Sequence, residues 1–477
     1  MRRAARPFDP ALATDVPPAS GVDSSERLPL ATFVAYGLPR LAMGFVGVIV
    51  AIYFVKFGTD VLLIAPATMG AIQALARVWD GVTDPLAGYL SDRTRSRFGR
   101  RRSWLYVSAF PMMLAVIVMW SPPTELGGLG LVLWVAGGVL LYETAQDVFL
   151  IPHGALGVEL SQSYHERTRV FAWQHLFLSL GTLCGLGAFA LIEAGDARAR
   201  VQVFALVGGA ALAATILFAA WRLPERAEYQ GRGARNPWRA FQDVLRNPHA
   251  RLLLGMYAIE TFGAGAIFVL APYMAQYVYG DASLTTLLAA AYLVPQALLT
   301  PVWIALAHRL DKKRLWLASM VVTCCGFMTL SFLPGEMRLV LLGVLFVIGV
   351  AAGVGAVCAP AIKADIIDFD EYQTGERKEG AYLAVWNFVR KCSSALTPVL
   401  AMGSLQLAGY QPNVEQSELT KWVIRGFFGF FPALCFVAGI VIFLRFRFNQ
   451  SEHAEIRREL DARRSAPLPS TSENSSR

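Results

Sequence analysis

Twelve long apolar segments recur along this chain, and they restrict what it can fold into more than any other feature. A helix needs about 20 mostly apolar residues to cross a bilayer, and in lipid its backbone must satisfy its own hydrogen bonds. Apolar residues make up 55% of the chain and charged residues only 16%, which excludes a soluble multidomain protein. The sequence therefore predicts an all-α polytopic membrane protein with twelve transmembrane helices, at about 29–56, 63–91, 104–121, 128–157, 169–193, 201–221, 251–278, 284–308, 314–333, 337–362, 380–408 and 421–446.

The formal charge of +8 is explained by where the basic residues lie rather than by a nucleic-acid partner. If both termini are cytoplasmic, 33 of the 43 Lys and Arg residues fall in cytoplasmic segments and only four fall in outer loops. Lysine and arginine are retained preferentially on the cytoplasmic side of a membrane. We therefore expect a multi-pass protein of the inner membrane with both termini in the cytoplasm and no nucleic-acid partner.

The chain divides into two six-helix halves joined by a polar stretch. Basic loops follow both the second and the eighth span, at 93–102 and 309–314, which indicates parallel repeats of six helices. The predicted boundaries are a cytoplasmic N-terminal tail at 1–28, a first bundle at 29–221, a cytoplasmic linker at 222–250, a second bundle at 251–446 and a cytoplasmic C-terminal tail at 447–477.

The second span carries three ionisable residues on one helical face. Arg77, Asp80 and Asp84 are spaced by three and four residues. Ionisable residues inside a span are costly, and two carboxylates on one face repel each other unless a cation or proton lies between them. The pattern predicts a Na⁺ or H⁺ site at Asp80 and Asp84. The alternative is an arginine–aspartate pair that only holds two helices together.

A lysine in the eleventh span is the natural partner for these carboxylates. Lys391 follows Arg390 there, and a buried ammonium group needs a carboxylate nearby. Because occupancy of one site changes the charge felt at the other, we expect Lys391 and Arg77 to couple the cation to a solute. The alternative for Lys391 and Arg390 is that their side chains extend to the cytoplasmic interface.

Polar side chains in the fourth span predict contacts with a hydroxylated solute. Tyr142 and Gln146, like Glu143 and Asp147, are four residues apart and form a polar stripe. No catalytic motif and no metal-type cluster occurs in the sequence, so we expect neither an enzyme nor a cofactor besides the transported ion. Further candidates for the solute site are His175, Trp386 and Asn387, with ordinary core packing as the alternative for the histidine and the tryptophan.

Three motifs stand out in combination: RVWDGVTDP at 77–85, SDRTRSRFGRRRSW at 91–104 and ADIIDFDEYQTG at 364–375. Together they resemble the signature of the glycoside–pentoside–hexuronide:cation symporters, a melibiose-permease-like family of the major facilitator superfamily. The resemblance implies a major facilitator fold, alternating access and cotransport of Na⁺, Li⁺ or H⁺ with a sugar-like solute. It also implies that Asp80 and Asp84 are the family's cation carboxylates and that Lys391 is its helix-eleven lysine.

The positions that bind sugar in melibiose permease differ in this chain. Its acids in helices one and four fall at Gly44 and Leu150, its helix-four tryptophan falls at Gly154, and its helix-five arginine falls at His175. The resemblance thus supports cation coupling but not the recognition of galactosides. Two alternatives to sugar symport stay open: a cation-coupled carrier of lysophospholipids or other amphiphiles, as in a related branch of the superfamily, and an uncoupled facilitator.

The sequence therefore predicts a secondary active transporter whose two halves rock around a central site. Its predicted partners are a small-molecule solute and the lipid bilayer, and we expect a monomer. Charged residues after the second span and an acidic segment at 365–379 share the predicted cytoplasmic side, where they are candidates for an inward-closing latch. The candidate gating residues are Asp92, Arg93, Arg97 and Arg100, and the alternative is that these charges only mark the cytoplasmic side.

Overall fold

A computed structural model of the protein describes residues 27–161, 164–193, 196–225, 244–374 and 379–446, with 455–456 and 458–459. Within these ranges the regular structure is helical and no strand occurs, which confirms the predicted all-α fold. The predicted tails at 1–28 and 447–477 and the central part of the predicted linker at 222–250 lie largely outside the described residues.

Six long helices form the first half, one for each predicted span. Pro66 begins the second of them, where its fixed φ suits a helix start and its missing N–H is not needed. The last turn of the first helix, Phe57–Val61, is π-helical. The six helices are α1 Leu30–Val61, α2 Pro66–Arg93, α3 Arg100–Trp120, α4 Gly128–Glu159, α5 Tyr164–Glu193 and α6 Ala197–Arg222.

The second half repeats this arrangement. Its helices are α7 Pro248–Val278, α8 Leu284–Leu298 with Thr300–Arg309, α9 Lys312–Phe332, α10 Arg338–Thr374, α11 Glu379–Leu407 and α12 Glu418–Leu444. The two segments of α8 are bent by 45° at their break, and α10 continues to Thr374 although its apolar segment ends near 362. The last turn of α7, Met274–Val278, is π-helical like that of α1, so corresponding helices of the two halves end in the same way.

Among the described residues, the main contacts between the halves come from three helix pairs: α2 with α11, α1 with α7, and α5 with α8. Nine of the described helices are long and apolar enough to cross a bilayer, and α8 adds a tenth if its bent segments form one span. The other two, α2 and α11, are less apolar and pack against each other. The fold thus places its two most polar long helices between the halves, where their ionisable side chains can pair instead of facing lipid.

Glycines bring α1 and α5 into close contact. A Cβ atom at Gly181 would lie 1.9 Å from the carbonyl oxygen of Leu41, and one at Gly44 would lie 2.3 Å from that of Leu178. Small residues allow such approach of helix backbones inside a membrane. Position 44, where the resemblance implies the loss of an acid, is therefore occupied by helix packing in this chain.

This contact makes a stability prediction. We expect Gly44→Ala to destabilise the protein by about 1–3 kcal/mol, because the added methyl group overpacks the α1–α5 contact. The matched control is Gly47→Ala on the same helix, where nothing lies within 4 Å of the added Cβ. The measurement is thermal unfolding of both purified variants in detergent, and equal melting temperatures for the two would contradict the prediction.

Candidate functional site

A lysine of the second half binds two aspartates of the first half near the middle of α2 and α11. The ammonium group of Lys391 lies 2.8 Å from an oxygen of Asp80 and donates a hydrogen bond to Asp84. Asp80 and Lys391 are only 4% and 9% exposed, while Asp84 is half-buried. The structure thus brings together three of the four residues for which the sequence predicts cation binding or coupling.

Arg77 joins this group to α4. Its guanidinium lies 3.7 Å from Asp80 and 3.3 Å from the buried carboxylate of Glu143. Beside this ion pair, the indole N–H of Trp79 on α2 donates a hydrogen bond of 2.8 Å to the hydroxyl of Thr144 on α4. Arg77 therefore connects α2 to α4 through Glu143 and also lies beside the carboxylate of Asp80.

Asp147 adds a third aspartate from α4. It accepts a hydrogen bond from the hydroxyl of Thr83, and carboxylate oxygens of Asp80, Asp84 and Asp147 all lie within 4.8 Å of one another. Oxygens that bind a cation of the size of Ca²⁺ at about 2.3–2.6 Å are at most about 5 Å apart. These oxygens could therefore hold a cation of that size, such as Na⁺, or share a proton.

A cavity of about 760 Å³ between α2, α4 and α11 adjoins this group of carboxylates. Pockets of 300–1,000 Å³ accommodate small-molecule ligands. The cavity runs along α2 from Arg77 to the exposed Arg93 at the end of that helix. Residues of the predicted site that line it are Arg77, Asp80, Asp84, Asp92, Arg93, Glu143, Gln146, Asp147, Asn387 and Lys391.

Three predicted solute contacts lie elsewhere. Tyr142 is buried at 4% exposure and Trp386 at 2%, and neither lines this cavity. His175 is exposed on α5, outside the lining as well. Of the two positions where α4 departs from melibiose permease, Leu150 lines the cavity and Gly154 does not.

The opposite end of the bundle is closed by a polar cluster around Asp60, which joins the two halves. Asp60 pairs with Lys56 in the last turns of α1 and accepts hydrogen bonds from Tyr277 of α7, at 2.6 Å, and from Tyr410 after α11. The neighbouring Thr59 hydroxyl lies 2.7 Å from that of Tyr273. These contacts connect the two π-helical turns and close this end, whereas the cavity extends toward the other.

Two of the candidate gating residues pair inside the first half. Arg100, at the start of α3, lies 2.6 Å from Glu159 at the end of α4. Asp92 lies 2.5 Å from Arg101. Arg93 and Arg97 are exposed. The guanidinium of Arg93 lies over the ring of Tyr89, and that of Arg97 lies over the ring of Phe98.

Sequence reasoning did not single out four ionisable residues that the structure places at sites. Lys56 and Asp60 form the closure, while Glu260 and Lys363 line a second cavity within the second half. A signal was available for Lys56 and Glu260, since each is an ionisable residue in or at the end of a predicted apolar segment. Asp60 and Lys363 lie just beyond the predicted span ends at 56 and 362, whereas α1 and α10 continue past those positions.

Comparison with known proteins agrees with this architecture. A family model described as MFS/sugar transport protein matches residues 35–450. The glucuronide carrier protein homolog of Escherichia coli (strain K12) is 25% identical, and the alignment covers 92% of this chain and 97% of that protein. A putative sulfoquinovose importer of Salmonella typhimurium (strain LT2) is 26% identical, with 92% and 94% covered.

Solved structures share the fold at low sequence identity. A crystal structure of a D-xylose–proton symporter matches with a TM-score of 0.64 at 15% identity, covering 87% of this chain and 97% of that one. A crystal structure of the nucleoside transporter NupG matches with a TM-score of 0.63 at 13% identity, covering 86% and 99%. The predicted major facilitator fold is therefore confirmed.

Proposed function

The chain belongs to the MFS/sugar transport protein family, and from this we propose that it couples Na⁺ or H⁺ to the uptake of a sugar or glycoside-like solute. Its relatives are symporters and carriers rather than enzymes, and it is a multi-pass membrane transporter like them. Two of the relatives, a glucuronide carrier protein homolog and a putative sulfoquinovose importer, are named for sugar-derived solutes, which favours such a solute here.

One observation carries the coupling proposal: three aspartates and Lys391 share the wall of the central cavity. Four carboxyl groups, on Asp80, Asp84, Glu143 and Asp147, face only the two cations Arg77 and Lys391 in this group. Carboxylates in excess at low dielectric favour the binding of a further cation or proton. The group therefore suits the binding of a further cation or proton.

The proposed coupling step is an exchange of partners. A Na⁺ ion or proton that binds at Asp80 and Asp84 takes over part of the role of the Lys391 ammonium. Lys391 is then available to the solute in the adjoining cavity, so cation binding and solute binding favour each other. Solute binding would strengthen cation binding by the same factor, because thermodynamic coupling is reciprocal.

Alternating access supplies the rest of the mechanism. In the proposed orientation, with the basic α2–α3 loop in the cytoplasm, the cavity extends toward the cytoplasm and the Asp60 cluster closes the outer end. Rocking of the halves about the α2–α11 contact would open the Asp60 end and expose the same site to the outside.

Transport in proteoliposomes tests the proposal. A thermal-shift screen of the purified protein with glycosides, hexuronides and lysophosphatidylcholine, each with and without Na⁺, first identifies a ligand, since binding to the native state raises its stability. Uptake of that ligand is then measured under an imposed Na⁺ gradient, an imposed H⁺ gradient, or neither. We expect accumulation above the external concentration with one of the two gradients.

Two results would contradict the proposal. Equilibration without accumulation under either gradient would identify an uncoupled facilitator. Binding and uptake of the lysolipid alone would identify an amphiphile carrier instead.

A further inference from the structure

A second cavity, of about 510 Å³, lies within the second half and is lined by residues of its six helices, α7 to α12. Its lining includes Lys363 of α10 and Arg390 of α11, and Arg390 lines the central cavity too. The two cavities therefore meet at Arg390. This second cavity is outside the aspartate group, and the coupling step described above does not use it.

Lys363 and Arg390 differ in their charge partners from Lys391 and Arg77, the two cations of the aspartate group. Lys391 and Arg77 each have carboxylates within ion-pair distance. Among the described residues, no carboxylate lies within 4.0 Å of the charged nitrogens of Lys363 or Arg390. Lys363 is half-buried, and Arg390 beside it is exposed. Two neighbouring cations that lack a counter-charge repel each other, and a bound anion would remove this repulsion.

The position of Lys363 argues against a side chain that simply extends into bulk water. Its ammonium group lies 4.6 Å from the ring centroid of Tyr257 on α7 and 4.9 Å from that of Trp386 on α11. Cation–π contacts on both sides hold the ammonium in the cavity wall. Trp386, which the sequence indicated as a solute contact, therefore acts here through Lys363.

A hydrogen-bond acceptor completes the same cavity. One carboxylate oxygen of Glu260 is buried and has no hydrogen-bond partner among the described residues. Gly355 lies beside it, and a Cβ atom there would be 3.8 Å from the other oxygen of Glu260 and 3.2 Å from the indole nitrogen of Trp316. The glycine keeps this part of the cavity open, and a hydroxyl group that donates to Glu260 would satisfy the unpaired oxygen.

We propose that Lys363 and Arg390 form an anion subsite for a carboxylate or sulfonate group of the transported solute, while Glu260 accepts a hydrogen bond from one of its hydroxyls. The inference rests on the proposed transport function and narrows its substrate class to acidic, hydroxylated compounds. Arg390 links this subsite to the central cavity, so one solute can contact it and Lys391.

Two probes that differ only at one carbon test this subsite. Methyl β-D-glucuronide carries a carboxylate where methyl β-D-glucoside carries a hydroxymethyl group. Calorimetric titration of the purified full-length protein is expected to give a Kd at least about tenfold lower for the glucuronide, because a charge-assisted hydrogen bond is lost in the glucoside. Equal affinity for the two probes would overturn the proposal.

Variants locate the effect. Lys363→Met keeps the length and apolar contacts of the side chain, and we expect it to weaken glucuronide binding at least about tenfold while Lys363→Arg retains most of it. Arg390→Gln should act in the same way. Arg338→Gln is the matched control, because Arg338 pairs with Asp281 outside both cavities. Unchanged glucuronide affinity in Lys363→Met and Arg390→Gln would overturn the proposal.

Sulfate alone distinguishes a solute subsite from a general anion site. We expect sulfate at the concentration of the glucuronide to stabilise the protein much less in a thermal-shift measurement, since it cannot engage Glu260. Equal stabilisation by sulfate would overturn the assignment to an acidic solute. Failure of this subsite is distinguishable from failure of the transport proposal, because a neutral glycoside would then still accumulate under a cation gradient.

Discussion

Replacing Asp84 by asparagine is expected to abolish gradient-driven accumulation of the solute while leaving passive exchange in place. Asparagine retains the shape of the side chain but removes one of the charges at the proposed cation site, and Lys391 still has Asp80 at 2.8 Å. A potential of about 100 mV drives one charge with about 2.3 kcal/mol, which corresponds to roughly 50-fold accumulation. In the variant the internal and external concentrations should become about equal.

The measurement uses proteoliposomes in two assays: gradient-driven uptake, which reports accumulation of the solute, and solute counterflow, which reports passive exchange. Counterflow needs a folded protein and solute binding but no net cation movement, so its retention separates lost coupling from failed folding. Asp281→Asn is the matched control, since Asp281 lies in the α7–α8 loop, where it pairs with Arg338 at 3.0 Å. Accumulation by Asp84→Asn equal to that of the native protein would exclude Asp84 as a coupling carboxylate.

Replacing Lys391 by alanine is expected to lower the free energy of unfolding by about 3–5 kcal/mol, because it leaves buried carboxylates without their ammonium partner. A cation bound at these carboxylates should restore part of the lost stability. If the site binds Na⁺, saturating Na⁺ at about 100 times its Kd would return about 2.7 kcal/mol. Thermal unfolding in NaCl and in choline chloride measures this, and we expect a larger Na⁺-dependent rise in melting temperature for the variant than for the native protein.

The same experiment separates the two coupling ions. Recovery with Na⁺ indicates a sodium site, whereas recovery on acidification alone indicates a proton site. Lys421→Ala is the control, because Lys421 pairs with the exposed residues Glu415 and Glu418, and such pairs contribute only about 0–1 kcal/mol. Absence of any added stabilisation by either cation would argue against a cation site beside Lys391.

The fold and the centre of the site follow from the sequence for one physical reason. Charges inside apolar segments are costly, so the few that occur there must find partners, and Asp80, Asp84 and Lys391 are such charges. Their pairing could be inferred without coordinates. The helix count follows from the same principle, since each apolar segment must form its own helix in lipid.

Other features depend on the three-dimensional arrangement. The contacts of Asp60 with Tyr277 and Tyr410 join residues 217 and 350 positions apart, and no local pattern specifies them. Lys363 was missed because α10 remains helical beyond its apolar segment, where hydropathy no longer marks a span. At position 44, the sequence shows only that a glycine is present. The structure adds that α5 packs against this glycine and fills the space beside it.

The Asp60 closure has a consequence for how readily the transporter can reopen. Lys56 and Asp60 belong to the same helix, so this charge pair can stay together when the halves separate. The tyrosine hydroxyls that leave Asp60 exchange their bonds for bonds with water, at a net difference of about 0.5–1.5 kcal/mol each. An apolar contact at this end would instead expose its whole apolar surface to water when the halves separate. The polar contacts of the Asp60 cluster keep the free energies of the open and closed conformations similar. Neither conformation is then too stable to leave in a transport cycle that passes through both at every turnover.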